Sequence, residues 1–183
     1  ISGTTALITD IDRRKALPII QSLGRAGVRV VGLSYRRKPM CGYSKHCRVV
    51  RQCSDYRSDP AAFIATLAEV SAEFAPAVLY PLEDVTLELC LANPDAWMPN
   101  CRALLPSMNA FNAARDKWQA VCLARELGIP TPRTVLVESP GAIEQLAREW
   151  QGPAVVKPRR GSGSRGVRFV ENPSDLADAC QAT

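Results

Sequence analysis

The sequence lacks the long apolar run that a membrane-spanning helix needs. No stretch approaches roughly 18 consecutive apolar residues, and the amino terminus Ile1-Ser2-Gly3-Thr4-Thr5 does not have the basic and then apolar segments of a secretory signal. Of the 183 residues, 46% are hydrophobic and 22% are charged, a balance that favours a folded core over disorder. We therefore expect a globular cytoplasmic protein that does not enter a membrane.

Histidine is nearly absent, and the cysteines have no metal-binding spacing. The single histidine, His46, excludes a Ser-His-Asp or Cys-His catalytic scheme unless this one residue serves it. Cys41, Cys47 and Cys53 follow one another across five-residue gaps, which are wider than structural zinc sites use. We expect no metal site here and predict that the seven cysteines are reduced thiols.

The formal net charge of +5 is concentrated in the first third of the chain, which is basic. The run Arg36-Arg37-Lys38 is not interleaved with the aromatic side chains on which single-stranded nucleic acids stack. Nucleic-acid binding therefore remains the weaker alternative, with an anionic metabolite as the other candidate for a basic surface.

Short apolar runs alternate with helical patterns over the first part of the chain. The runs have the length of buried parallel strands and lie at Ala6–Ile8, Val28–Leu33, Val49–Val50, Ala77–Tyr80 and Ala103–Leu105. A capping side chain followed by proline, a typical helix start, occurs at Asp59-Pro60, Ser139-Pro140 and Asn172-Pro173. Strands separated by helices favour right-handed crossovers, so residues 1–112 are predicted to form a doubly wound parallel α/β domain.

A second, α+β unit is predicted for residues 113–183. It opens with the apolar stripe Ala120, Leu123, Ala124 and Leu127, which ends at Gly128 before the stiff segment Ile129-Pro130-Thr131-Pro132. Strands are then predicted at Thr134–Val137, Ala154–Lys157 and Val167–Val170.

A glycine-rich loop between the last two predicted strands carries the strongest functional signal. It reads Lys157-Pro-Arg-Arg-Gly161-Ser162-Gly163-Ser164-Arg-Gly166. The G-x-G-x-x-G spacing is followed by a strand and not by the helix that a dinucleotide fold needs, and the Gly-Lys-Ser/Thr of a P-loop is absent. In protein kinases the lysine follows the glycines, whereas Lys157 precedes them. The remaining interpretations are a hairpin that folds over a triphosphate with a cation at its base, or a plain solvent-exposed hairpin.

From residue 113 onward the sequence resembles the front of an ATP-grasp enzyme. The residues that carry the resemblance are Asp116-Lys117, the segment Gly128 to Pro132, the segment Pro153 to Pro158 and the glycine loop. The amino-terminal part resembles the preATP-grasp domain, especially of carbamoyl-phosphate-synthase-like carboxylate-amine ligases. The resemblance implies that Lys117 and Lys157 contact ATP and that Gly161, Ser162, Gly163, Ser164 and Gly166 cover its phosphates.

The same resemblance implies a reaction and its partners. The family activates a small carboxylate with ATP as an acyl phosphate, which an amine or thiol attacks, and it uses Mg²⁺ held by residues from its later part. We expect those metal ligands beyond the end of this chain, and expect that this piece alone is inactive and binds ATP weakly or not detectably. The alternative is a noncatalytic nucleotide- or anion-binding regulatory module. A homo-oligomer is possible.

The resemblance assigns no catalytic residue within this chain. Asp10, Asp12 and the neighbouring Arg13 and Arg14 follow the first strand, and Glu83 and Asp84 follow a later one, at the sheet edge where open α/β folds bind ligands. For the aspartates and Glu83, helix capping and substrate orientation are both open interpretations.

Overall fold

The computed structural model describes residues 3–161 and 163–181. The chain divides into two compact units, Ile1–Met108 and Asn109–Thr183, called unit 1 and unit 2 below. The functional division into residues 1–112 and 113–183 stays a prediction.

Unit 1 contains a five-stranded parallel sheet in the order β3-β2-β1-β4-β5. Its strands are β1 Thr5–Ile8, β2 Arg29–Ser34, β3 Cys47–Gln52, β4 Ala77–Tyr80 and β5 Cys101–Arg102. The chain starts in the middle of the sheet, builds outward to β3 and then returns to the other side of β1. The predicted doubly wound α/β architecture is therefore confirmed, and the strand order reverses between β1 and β4, the usual place for a ligand-binding crevice.

Helices connect these strands. They are α1 Ala16–Arg25, a 3₁₀ helix Met40–Tyr43, α2 Pro60–Glu73, α3 Asp84–Ala92 and α4 Pro94–Trp97. A further helix, α5 Met108–Arg115, follows the last strand and lies almost entirely in unit 2. The Asp59 carboxylate accepts a hydrogen bond of 2.9 Å from the Ala62 N–H, so the predicted cap of α2 is present. Pro60 at the first helical position needs no donor there.

The sheet of unit 1 is buried on both faces. Neighbouring strand residues point to opposite faces of the sheet, and the side chains on each face pack in a buried cluster. Leu7 packs with Phe63 and Leu67 in one buried cluster, whereas the next residue, Ile8, packs with Ile20 in the other. This two-sided burial explains why the strands are short continuous apolar runs.

Unit 2 is built around a two-stranded antiparallel sheet. Its elements are α6 Lys117–Glu126, α7 Pro140–Glu149, β6 Ala154–Val156, β7 Arg168–Val170, a 3₁₀ helix Pro173–Asp175 and α8 Leu176–Gln181. The Ser139 hydroxyl accepts a hydrogen bond from the Ala142 N–H at the start of α7, as predicted. The buried cluster of unit 2 comprises Val170, Leu176 and Ala179, with Leu146 and Trp150 packed against it.

Two sequence predictions need correction. Thr134–Val137 is not a strand in the structure; Arg125 of α6 contacts this region instead, since its guanidinium donates to the Thr131 hydroxyl and to the Thr134 carbonyl O. The last strand of unit 1 lies at Cys101–Arg102 and not at residues 103–105, because only those two residues pair with β4. The helix predicted before Gly128 is present as α6, with Leu127 as its C-cap, and its Leu123 side chain is exposed.

The cysteines are free thiols, as predicted. Burial raises the pKa of Cys53 and of Cys90 to about 12, so both thiols are fully protonated at neutral pH. Of the helices formed by residues 3–161 and 163–181, none has both the length and the apolar character that crossing a bilayer demands.

Candidate functional site in the β6–β7 hairpin

The β6–β7 hairpin has one packed face and one open face. Ala154, Val156 and Val170 belong to the cluster against α7 and α8. Val155 and Phe169 are cross-strand partners on the opposite face, and they are 52% and 82% exposed. Two apolar side chains are thus left uncovered beside the loop.

The loop that joins the two strands bends through left-handed backbone conformations. The φ angles are +129° at Gly161, +68° at Gly163, +59° at Ser164 and +71° at Gly166. A Cβ atom added at Gly161 or Gly163 would meet no atom within 4 Å. Glycine is therefore required there by the backbone conformation and not by crowding. The predicted site residue Ser162 lies outside the described residues.

Lys157 directly follows β6 and stands at the base of this loop. Its side chain is exposed. Among the residues that the structure describes, none forms a hydrogen bond or ion pair with the Lys157 ammonium. This is a cation whose charge is available to a ligand.

Lys117 is brought to the same loop from the first turn of α6. Its Nζ donates a 3.0 Å hydrogen bond to the Gly161 carbonyl O, and its backbone N–H donates to the Arg159 carbonyl O at 3.0 Å. Lys117 is therefore hydrogen-bonded directly to residues that follow Lys157, the other predicted site lysine, in the sequence.

Asp116, which the sequence analysis treated only as part of the Asp-Lys pair, organises this contact. Its side chain is 0% exposed, and its Oδ2 accepts a 2.7 Å hydrogen bond from Arg159 Nε. Its Oδ1 caps α6 by accepting from the N–H groups of Trp118 and Gln119. The Arg159 guanidinium holds the pKa of Asp116 below its ordinary value. The sequence signals the cap, since Asp precedes a helix, but gives no sign of the distant arginine.

A cavity of about 1250 Å³ lies in unit 2 beside these residues. Its lining includes Lys117, Lys157 and Arg159 together with the apolar or aromatic side chains of Trp118, Val155 and Phe169. The volume is somewhat above the roughly 300–1,000 Å³ of typical small-molecule sites. The lining combines apolar and aromatic side chains with cations, which suits a ligand that has a flat apolar part and an anionic part.

The carboxyl edge of the unit 1 sheet holds the other predicted candidates. Asp10 is buried and accepts hydrogen bonds from the Thr9 hydroxyl at 2.5 Å, the Thr86 hydroxyl at 2.7 Å and the Glu83 N–H at 3.2 Å. Burial raises the pKa of its carboxyl group. Helix capping by Asp10 and Asp12 is wrong, because α1 begins after Lys15 without a side-chain cap. Asp10 instead ties the end of β1 to the start of α3.

Several other charged groups at this edge are paired with one another. Glu83 and Thr86 form a capping box at α3, so the capping interpretation of Glu83 is confirmed. Glu83 also lies 3.0 Å from Lys15 Nζ, and Asp12 lies 3.4 Å from Arg13 Nε. The substrate roles considered for Asp10, Asp12 and Glu83 stay predictions.

Magnesium ligands were expected outside this chain. In the described ranges, no three His, Cys, Asp or Glu side chains converge as a metal-binding group would. The described residues therefore do not form a Mg²⁺ site by themselves.

Comparison with known proteins places this geometry in a known fold. No protein-family model matches the chain. A 75-residue segment is 32% identical to the N5-carboxyaminoimidazole ribonucleotide synthase of Pseudomonas aeruginosa, covering 40% of this chain and 21% of that protein.

Two solved structures match over almost the whole chain. The L-amino acid ligase from Bacillus licheniformis superimposes with a TM-score of 0.68 at 19% identity, covering 98% of this chain and 42% of the ligase. The N5-carboxyaminoimidazole synthetase from Staphylococcus aureus, solved in complex with ADP, superimposes with a TM-score of 0.66 at 16% identity, covering 100% and 45%. The chain thus spans less than half the length of these proteins. Over its described length, this chain therefore has the fold of these two ligases, which confirms the fold expected from the resemblance.

Proposed function

We propose that this chain is the amino-terminal part of an ATP-dependent ligase that joins a carboxylate to an amine or a thiol, and that the β6–β7 hairpin binds the ATP. The observation that carries the proposal is the exposed Lys157 ammonium, without a partner in the described part of the chain, at the base of a loop shaped by left-handed glycines.

The loop suits the phosphates of a nucleotide. A lysine at its base places a compact positive charge against phosphate oxygens, and flexible glycines let backbone N–H groups approach those oxygens closely. Gly161, Ser162, Gly163, Ser164 and Gly166 cover the phosphates in this proposal.

The two lysines have different roles. Lys157 neutralises phosphate charge that develops during phosphoryl transfer. Lys117 contacts the α-phosphate region from the start of α6, where its ammonium group has three N–H donors and one of them donates to the Gly161 carbonyl O.

The open face of the hairpin suits the base of the nucleotide. Val155 and Phe169 are exposed on that face and line the same cavity as both lysines. Covering these side chains with a flat ring removes apolar surface from water, at roughly 25 cal/mol for each Å².

The proposed reaction forms an acyl phosphate from the substrate carboxylate and ATP, and the amine or thiol then displaces the phosphate. Magnesium, when bound, screens the phosphate charges from the attacking carboxylate, and its ligands are expected outside the described residues. This chain contributes nucleotide binding, and alone we expect it to bind ATP weakly and to catalyse nothing.

The test is a titration of the isotope-labelled 19.9 kDa chain with millimolar MgATP and MgADP, followed by amide NMR signals. We expect shifts confined to Val155, residues 157–167, Phe169 and the start of α6. Lys157→Ala should weaken binding at least about tenfold, equivalent to about 1.4 kcal/mol.

The matched control is Arg148→Ala. Arg148 is also an exposed cation of unit 2, and its partner is Glu144 on the same helix, away from the loop in sequence. This variant should bind like the parent chain. Loop signals that stay unmoved at the highest nucleotide concentration would contradict the proposed function.

A further inference from the structure

Asp116 uses both carboxylate oxygens, and the two have different partners. Oδ1 caps α6 through the N–H groups of Trp118 and Gln119, at 3.1 and 3.2 Å. Oδ2 accepts from Arg159 Nε at 2.7 Å and lies 3.8 Å from Arg160 Nε. A helix cap needs only the first oxygen, so the contact with the arginines has a separate effect.

Two further hydrogen bonds connect the same short segments. The Lys117 N–H donates to the Arg159 carbonyl O, and Lys117 Nζ donates to the Gly161 carbonyl O, both at 3.0 Å. We call the group Asp116, Lys117, Arg159 and Gly161 the clasp. It joins the start of α6 to the start of the glycine loop at three points.

The loop is held differently on either side of Gly161. Up to Gly161 it is tied to α6 by the clasp, whereas Gly163, Ser164, Arg165 and Gly166 are exposed. Within that exposed part, the Val167 N–H donates to the Ser164 carbonyl O. The loop is therefore tied to α6 at its start.

The Asp116 carboxylate stays charged at neutral pH. The Arg159 hydrogen bond lowers the pKa of Asp116, and Asp116 in turn raises the pKa of Arg159. A charge-assisted bond of this kind is shorter and stronger than a bond between neutral groups. Its Asp116 side is buried, whereas the Arg159 side chain is 44% exposed.

We propose that Asp116 is a positioning residue: through Arg159 it fixes the base of the glycine loop against α6, so that Lys117 and the loop are presented together to a phosphate group. The inference rests on the proposed nucleotide binding for its consequence, but the clasp itself can be tested without any ligand.

The first test measures amide hydrogen exchange in the ligand-free chain, comparing the parent with Asp116→Asn. Asparagine is as good a helix cap as aspartate, so the Trp118 and Gln119 amides should stay protected and the helix content should not change. The amide nitrogen would face Arg159 Nε as a second donor, so the Lys117 N–H should lose protection at least about tenfold.

The second test changes Arg159, the donor of the same hydrogen bond. Arg159→Gln should lower protection of the Lys117 N–H as Asp116→Asn does, and Arg159→Lys, which keeps the charge, should restore part of it. Arg165→Gln is the matched control, because it removes an exposed cation of the same loop outside the clasp, and it should leave this protection unchanged.

Affinity for MgADP separates a positioning role from a merely structural one. Asp116→Asn should weaken MgADP binding about three- to tenfold while Lys117 and Lys157 are both still present. Lost protection with unchanged affinity would overturn the positioning role, and unchanged protection in both Asp116→Asn and Arg159→Gln would overturn the clasp. If the parent chain does not bind MgADP, the proposed function fails, and hydrogen exchange still decides the clasp.

Discussion

The two units of this chain bury their side chains to very different extents. Unit 1 covers both faces of its sheet, and Leu7, Ile8, Phe63 and Leu67 are almost completely inaccessible to solvent. Unit 2 has a small buried cluster around Val170 and exposes apolar side chains on α6 and on the hairpin. The proposed nucleotide site belongs to the less buried unit, where a loop can move and a ligand can still gain contact area.

Each unit contains a buried aspartate, and the pKa values of the two aspartates are shifted in opposite directions. Asp10 in unit 1 is surrounded by hydroxyl groups and one N–H, and burial raises its pKa. Asp116 in unit 2 has a guanidinium partner, and its pKa is lowered. The first carboxylate joins neutral groups within a core, and the second holds a charged loop, so only the second needs its charge.

The largest expected effect is a difference in stability loss when leucine is replaced by alanine in unit 1 and, separately, in unit 2. Leu67→Ala empties a fully buried position of α2 and should lower the free energy of unfolding by about 2–5 kcal/mol. Leu123→Ala changes a position of α6 that is 46% exposed and should cost less than about 1 kcal/mol. Urea denaturation followed by circular dichroism measures both. Equal losses would contradict the contrast between the units.

A smaller effect is expected at Asp10. Asp10→Ala removes the acceptor of three hydrogen bonds and puts alanine at a φ of +57°, which together should cost about 2–3 kcal/mol. Asp10→Asn keeps an acceptor oxygen, tolerates the left-handed conformation and buries no charge, so its stability should lie within about 1 kcal/mol of the parent. If asparagine proves as damaging as alanine in thermal and urea unfolding, unit 1 does require the charge.

The smallest effect is the pH dependence of the two aspartates, which should have opposite signs. A lowered pKa means that the contribution of Asp116 is present above its ordinary pKa of about 3.9 and is lost as the pH falls through the folded-state value. A raised pKa means that the contribution of Asp10 is present below about pH 3.9 and is lost as the pH rises through the folded-state value.

Unfolding free energies of the parent, Asp10→Asn and Asp116→Asn chains, measured from pH 3 to pH 7, test these signs. On acidification the parent should lose stability relative to Asp116→Asn and gain it relative to Asp10→Asn. Slopes of the same sign would show that the two carboxylates do not differ in the way described.

Local chemistry explains which parts of the fold could be predicted from the sequence. The caps at Asp59 and Ser139 and the strand Ala77–Tyr80 were predicted because their signals lie within a few residues. The strand predicted at Thr134–Val137 is wrong because a strand also needs a neighbouring strand to pair with. In the structure Arg125 donates a hydrogen bond to the Thr134 carbonyl O instead.

Only part of the candidate site could be predicted, because only some of its residues are marked by a local sequence pattern. The loop and Lys157 were recognisable from their own spacing, whereas Lys117 was assigned only through the resemblance to a family. The bond between Asp116 and Arg159 crosses 43 positions of the sequence, and nothing near either residue indicates the other.

The Lys117 ammonium group already donates a hydrogen bond to the Gly161 carbonyl oxygen. This bond affects how much an anion gains by binding Lys117. A phosphate that reaches Lys117 meets an ammonium group that already has one oxygen partner for its three N–H donors, so the net gain at that lysine is smaller than at a lysine without such a partner. Lys157 has no such competitor in the described chain, and the ionic-strength dependence of nucleotide capture should therefore reflect Lys157 more strongly than Lys117.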